Sequence, residues 1–145
     1  MTALGLDVSH YQRPDRINWQ AAAESHRFVI INACDGTEPD PAVSEHWHRA
    51  RNVALISGLY LFYRPDQPTY PQWSAFSEIA DDLRMGPGNL LPALDLEDWP
   101  GAPISPEHSE QARILAAAFA NRWGGCLLYL SDDALLGRQP GSPAA

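Results

Sequence analysis

No apolar run in the 145-residue chain approaches the ~20 residues that a membrane-crossing helix requires. The opening MTALGLDVSH has neither a basic n-region nor a long apolar core, so no secretory signal is read there. Cations are scarce: 10 Lys+Arg stand against 18 Asp+Glu, a formal net charge of −8. Nucleic-acid phosphates and anionic lipid surfaces both reward basic patches, so neither is expected as a partner, and no membrane insertion is expected. Cysteine is nearly absent. Cys34 and Cys126 lie far apart in apolar runs and read as two buried free thiols. Neither belongs to a metal-spaced cluster. His46 and His48 sit two apart on a predicted helix and diverge, which argues against a metal pair there. The first predicted strand is followed by DVSHYQ, without the glycines of a dinucleotide-binding fingerprint. No internal repeat is found.

What is present is a globular composition, 45% hydrophobic and 19% charged, sized for one domain. Apolar, β-branched runs alternate with helix-period segments. Strands are predicted at 4–9, 28–34, 54–63, 90–97 and 126–131. Helices are predicted from Asn18, from an Asp40 cap with Pro41 at the first position, across Trp73, Phe76, Ala80 and Leu83, and from Ser105-Pro106 to Gly124-Gly125. The segment 64–71 is predicted as loop. Strand–helix alternation specifies a parallel sheet with right-handed crossovers. The expected class is α/β. The candidate architectures are a doubly wound sheet, which lacks its fingerprint here, and a parallel (β/α) barrel of TIM-like type, incomplete, with about five strands and four helices. Residues 1–136 are assigned to that domain, and the small, Pro-rich 137–145 to a disordered tail.

The stretch PALDLEDW, residues 92–99, places acids on an apolar strand. Alternate strand residues share a face, so Asp95 and Glu97 project together while Leu94 and Leu96 face the other way. Both lie at the strand's C-terminal end, where parallel α/β folds build their sites. Asp7 sits likewise near the end of the first strand. Crowded carboxylates repel, so one of the pair is expected to hold its proton at neutral pH. One protonated and one ionised carboxyl is the equipment for cleaving a glycosidic bond. Aromatics gather at the same predicted strand ends: Tyr11, Tyr60, Phe62, Tyr63, Trp99 and Tyr129. Such rings can stack on the apolar faces of sugars or serve only as packing. The bland alternative for the acid pair is a turn cap, a cation site, or ion pairing with Arg64 or Arg113.

GLDVSHYQ, INW, FVIINACDGTEPD, GLYLFYRP and LPALDLED, taken in order and spacing, resemble glycoside hydrolase family 25, the N-acetylmuramidase lysozymes. The resemblance runs from about residue 4 to about residue 131. It implies a barrel-like fold without a cofactor. It also implies hydrolysis of the β-1,4 bond between N-acetylmuramic acid and N-acetylglucosamine in peptidoglycan, the partner expected for this chain. By matching position, Glu97 is the general acid, Asp95 steers the substrate's acetamido group or assists attack on the anomeric carbon, and Asp7 is a further acid on the floor. Tyr60 lies near the scissile sugar. Tyr11, Asp35, Phe62, Trp99 and Tyr129 complete the expected substrate-binding set. With no signal read, the expectation is cytoplasmic synthesis and action on the wall after release, by a phage-type or non-classical route.

Several residues depart from the family pattern. Its Tyr-His-Phe strand reads Tyr60-Leu61-Phe62, Asn32 replaces a basic residue, and Asp35 replaces a Glu. Barrels of this kind run to roughly 200 residues or more, so the sheet is expected to be left with open edges, covered by an oligomer or by a complementing chain. Besides an active muramidase, two alternatives are therefore carried: an inactive, truncated peptidoglycan-binding remnant, and an α/β enzyme that holds a cation on Asp95 and Glu97.

Overall fold

A computed structural model describes residues 2–98 and 104–130. Trp99 and the predicted tail at 137–145 lie outside the described residues. In chain order the elements are β1 (Gly5–Val8), α1 (Trp19–Ser25), β2 (Phe28–Asp35), β3 (Glu38–Pro39), α2 (Val43–Asn52), β4 (Ile56–Phe62), α3 (Thr69–Asp82), β5 (Ala93–Leu96), α4 (Pro106–Trp123) and β6 (Leu127–Leu130). A single 3-10 turn, Pro14–Arg16, precedes α1. The five longer strands run parallel in the order β1-β2-β4-β5-β6, and β3 pairs antiparallel with the end of β2. The result is a half-barrel with four helices, the incomplete TIM-like α/β fold.

Period-two alternation gives the sheet two unlike faces. Val29, Ile31 and Ala33 of β2, Leu59 and Leu61 of β4, and Leu94 of β5 are fully buried. They share one core with Trp47 of α2, Phe76 of α3, and Leu115 and Phe119 of α4. The intervening residues Phe28, Ile30, Asn32, Tyr60, Phe62, Ala93 and Asp95 line an open hollow instead. The phase changes once. Between Asn32 and Cys34 the pairing of β2 with β4 slips, so Cys34 lies opposite Leu61 and Asp35 opposite Phe62. Ala33 and Cys34 are both buried, and Asp35 emerges into the hollow beside Asn32. A bulge does this by adding one unpaired residue to a strand.

Local signals fix most helix ends. The Asn18 side chain accepts from the Ala21 N–H at 3.0 Å and opens α1. The Ser105 hydroxyl accepts from the His108 N–H at 3.2 Å, and His108 Nδ1 accepts from the Ser105 N–H at 3.2 Å, so α4 begins with a capping box and Pro106 behind it. Gly124 ends α4 in the left-handed region, at φ 86°. Phe119 joins α4 to α3, stacked on Phe76 at 4.6 Å and tilted on Trp73 at 5.3 Å.

The structure corrects three boundaries. Asp40 is not the cap of α2, whose cap position is Ala42. Asp40 Oδ1 accepts the Ala42 N–H at 2.8 Å and its other oxygen turns to the β1–α1 loop. Ala54, predicted as the first residue of the strand 54–63, precedes β4 at φ 59° and is exposed. The predicted loop 64–71 is partly helix, since α3 starts at Thr69 and carries Pro71 in its first turn, where a missing N–H costs nothing. Cys34 is buried as expected, whereas Cys126 is only half-buried.

Candidate active site

Every described strand except the short β3 contributes to one hollow of about 590 Å³. Asp7 comes from β1, Asn32 and Asp35 from β2, and Tyr60 and Phe62 from β4. Asp95 comes from β5, Glu97 from just beyond it, and Tyr129 from β6. Ser9, His10 and Tyr11 of the β1–α1 loop complete the rim. All the expected site residues that fall within the described part of the chain therefore meet in one place. Asp7, Asp95 and Glu97 share the cavity across the width of the sheet. Neither expected arginine clamps the acid pair: Arg64 pairs with Asp35, and Arg113 with Glu110.

The two carboxyls of the Asp-x-Glu pair differ in burial. Asp95 is 7% exposed, and its Oδ1 has no hydrogen-bond partner among the described residues; Glu97 is half-buried. Burial raises the Asp95 pKa from 3.8 to about 7, helped by the charge of Glu97, a hydrogen bond with Glu97 and the charge of Asp7. Within the pair, Asp95 is the carboxyl whose burial favours keeping the proton. A protonated Asp95 donates to Glu97, which joins the two carboxyls through one proton. Tyr60 stays a neutral phenol: burial, then the charges of Asp95, Asp7 and Asp40, push it well above its usual range, partly offset by a hydrogen bond with Asn32.

The rim is built from interlocked loops. Arg64 grips Asp35 through two parallel hydrogen bonds, Nε to Oδ1 and Nη2 to Oδ2, and lies 5.1 Å from the Phe62 ring centre. Asp35 thus reaches the hollow with its carboxylate already committed to a cation. The loop that carries Arg64 is held by the fully buried Gln72. Its Oε1 accepts the Arg64 N–H at 3.0 Å, and its Nε2 donates to the Arg64 carbonyl at 2.9 Å. Gly36 sits at φ +57°, where a side chain would strike Gln67 Oε1, itself the acceptor of the Thr37 N–H at 3.0 Å. At the two edges of the described sheet, Tyr11 and Tyr129 stand 82% and 51% exposed.

The sequence did not single out His10, Asp40 or Gln72. His10 lies three residues after Asp7 in DVSHYQ, a signal that was available. Asp40 was read as a cap because its link to His10 spans 30 residues. Among the described residues, no three His, Cys, Asp or Glu side chains gather as ligands for a metal ion.

Residues 6–124 match the pattern of the glycosyl hydrolases family 25. The chain belongs to this family. Among solved family 25 structures, a Bacillus anthracis glycosyl hydrolase superposes with a TM-score of 0.77 over 98% of this chain and 67% of its own, at 21% identity. The bacterial lysozyme of Streptomyces coelicolor superposes with a TM-score of 0.70 over 89% of this chain and 63% of its own, at 27% identity. The uncharacterized protein YegX of Escherichia coli is 30% identical over 104 residues, covering 67% of this chain and 36% of YegX. The chain thus spans about a third of the length of that curated relative. For the family 25 member described here, the wide hollow at the strand ends is the feature to be explained chemically.

Proposed function

We propose that this family 25 chain is a lysozyme-type glycoside hydrolase that cleaves the β-1,4 bond between N-acetylmuramic acid and N-acetylglucosamine in peptidoglycan. The observation that carries the proposal is the convergence of the carboxyl pair, Asp95 and Glu97, with Asp7 on one sugar-sized hollow. The lysozyme from Streptomyces coelicolor supports it by likeness.

In this proposal the pair enters turnover with its proton on Asp95. A glycan seated between Tyr11 and Tyr129 excludes water from the hollow. The proton passes along the shared hydrogen bond to Glu97, the outer of the two groups, which donates it to the departing glycosidic oxygen. Asp95 is left ionised and holds the acetamido N–H; water, directly or after the substrate's own acetamide oxygen, then bonds to the anomeric carbon in place of the departed oxygen and returns its proton to the carboxyl pair. Asp7 adds negative charge against the cationic character that develops at the anomeric carbon. Tyr60, neutral throughout, offers its hydroxyl proton to the bound sugar. The Asp35–Arg64 pair shapes the rim.

Purified peptidoglycan provides the test. Wild-type protein is expected to clear the suspension and release reducing ends, and Glu97→Gln to do neither. Sedimentation of the wild type with cell walls, without release of reducing ends, overturns the hydrolase and leaves a wall-binding unit. Loss of activity in EDTA that Mg²⁺ or Zn²⁺ restores would point instead to a cation held on the acids.

A further inference from the structure

The rim contains a second carboxylate-anchored group that the acid chemistry does not use. His10 lines the hollow with its side chain 44% exposed. Its backbone N–H and its ring Nδ1 both meet Asp40 Oδ2, each at 2.9 Å. The Asp40 side chain is 1% exposed, and its other oxygen accepts the Ala42 N–H at 2.8 Å. A carboxylate buried this far is tolerated because hydrogen bonds satisfy it. An ionised carboxylate only accepts, so it fixes a proton on Nδ1 of the imidazole. Nε2 is then the ring's remaining polar atom, and it makes no hydrogen bond with any described residue.

Holding the loop does not require the ring. The His10 N–H already ties the loop to Asp40, and the buried His46 donates from Nε2 to the Ser9 carbonyl at 3.0 Å. The imidazole lies 4.1 Å from the Tyr11 ring, tilted by 35°, so the two rings form one ledge beside the acids. The hollow already holds four carboxylic side chains, Asp7, Asp35, Asp95 and Glu97. A further charged acceptor would add to their mutual repulsion. With Nδ1–H turned to Asp40, the uncharged form of the ring presents Nε2 to the hollow as an acceptor that adds no negative charge.

We propose that His10, oriented by Asp40, is a substrate-contacting residue whose Nε2 accepts a hydrogen bond from a hydroxyl or acetamido N–H of the N-acetylated sugar seated on the Tyr11 ledge. The inference rests on the glycan assignment of the hollow made above.

The probe is a soluble tetrasaccharide of alternating N-acetylglucosamine and N-acetylmuramic acid. Every protein in the comparison carries Glu97→Gln so that the probe is not consumed. The side-chain nitrogen of Asn can stand where His Nδ1 stands, so His10→Asn keeps the bond to Asp40 and removes the group facing the sugar. Its thermal midpoint is expected to stay that of the reference, while its Kd for the tetrasaccharide rises about 5- to 10-fold, the size of one hydrogen bond. His10→Gln, whose amide reaches the Nε2 position, is expected to recover part of the loss. In histidine-labelled protein, the His10 ¹⁵Nε2 resonance is expected to report an unprotonated nitrogen and to move when the tetrasaccharide is added. A His10→Asn protein that binds as tightly as the reference, with no movement of that resonance, overturns the role of His10 alone. A reference protein that binds no tetrasaccharide overturns the glycan assignment, and this inference with it.

Discussion

The two faces of the half-barrel are written into the same strands, and they are built on opposite principles. Toward the helices, Val29, Ile31, Leu59, Leu61 and Leu94 are sealed from water and need only fit their neighbours. Toward the hollow, Asn32, Tyr60, Asp95 and Glu97 are held close together at a cost, with one buried carboxyl oxygen left without a partner. Stability resides on the first face and chemistry on the second. The alternation of β-strand side chains lets a single residue step carry the chain from one to the other.

Substitutions on each face can break or sharpen this division. The largest effect is expected from Glu97→Gln, which should lower turnover of peptidoglycan by about 10²- to 10⁴-fold, as loss of a general acid does. Its urea midpoint should stay close to that of wild type. The converse is Phe119→Ala on the helix side. Removing a fully buried ring stacked on Phe76 should cost about 3–5 kcal/mol in urea unfolding. A tetrasaccharide affinity that falls as steeply as stability in that variant would mean the faces are not separable.

Asp95 belongs to both faces in energetic terms. Its pKa is raised from 3.8 to about 7 on folding, so the folded state binds the extra proton in that window. The stability this proton brings is complete below pH 3.8 and is lost as pH rises through about 7. Denaturant midpoints measured across that interval should fall with pH in wild type. They should stay nearly level in Asp95→Asn, the difference amounting to a few kcal/mol at most. By the same proton, kcat/KM of the wild type should fall as pH rises above about 7. The smallest effect is expected at the rim. Arg64→Ala should change unfolding free energy by under about 1 kcal/mol, because its partner Asp35 is partly exposed.

Much of this was legible where the signal is local. Asn18, Ser105 and Gly124 announce helix ends within a single turn, and the structure puts them there. The shared direction of Asp95 and Glu97 follows from strand periodicity alone. Which carboxyl keeps the proton did not follow, because it depends on how deeply each is buried by residues far away in the chain. The start of α3 was missed because Pro71 reads as a breaker when its place in the first turn is unknown. Gln72 looked like an ordinary polar residue on a helix, and only the fold shows it threaded into the backbone of the Arg64 loop. The Asp40–His10 bond escaped for the same reason as every contact between distant segments: nothing nearby in the sequence requires it.

The slip between Asn32 and Cys34 has a consequence for length variation. An unbroken zigzag would send Asn32 and Asp35, three positions apart, to opposite sides; the surplus residue restores them to one side. Excising Ala33 would therefore leave Asn32, Cys34 and Asp35 opposite Tyr60, Leu61 and Phe62 in a regular zigzag, with the thiol still toward the helices and the carboxylate still beside Arg64. Losing the surplus residue would shorten β2 without changing which side chains face the saccharide groove.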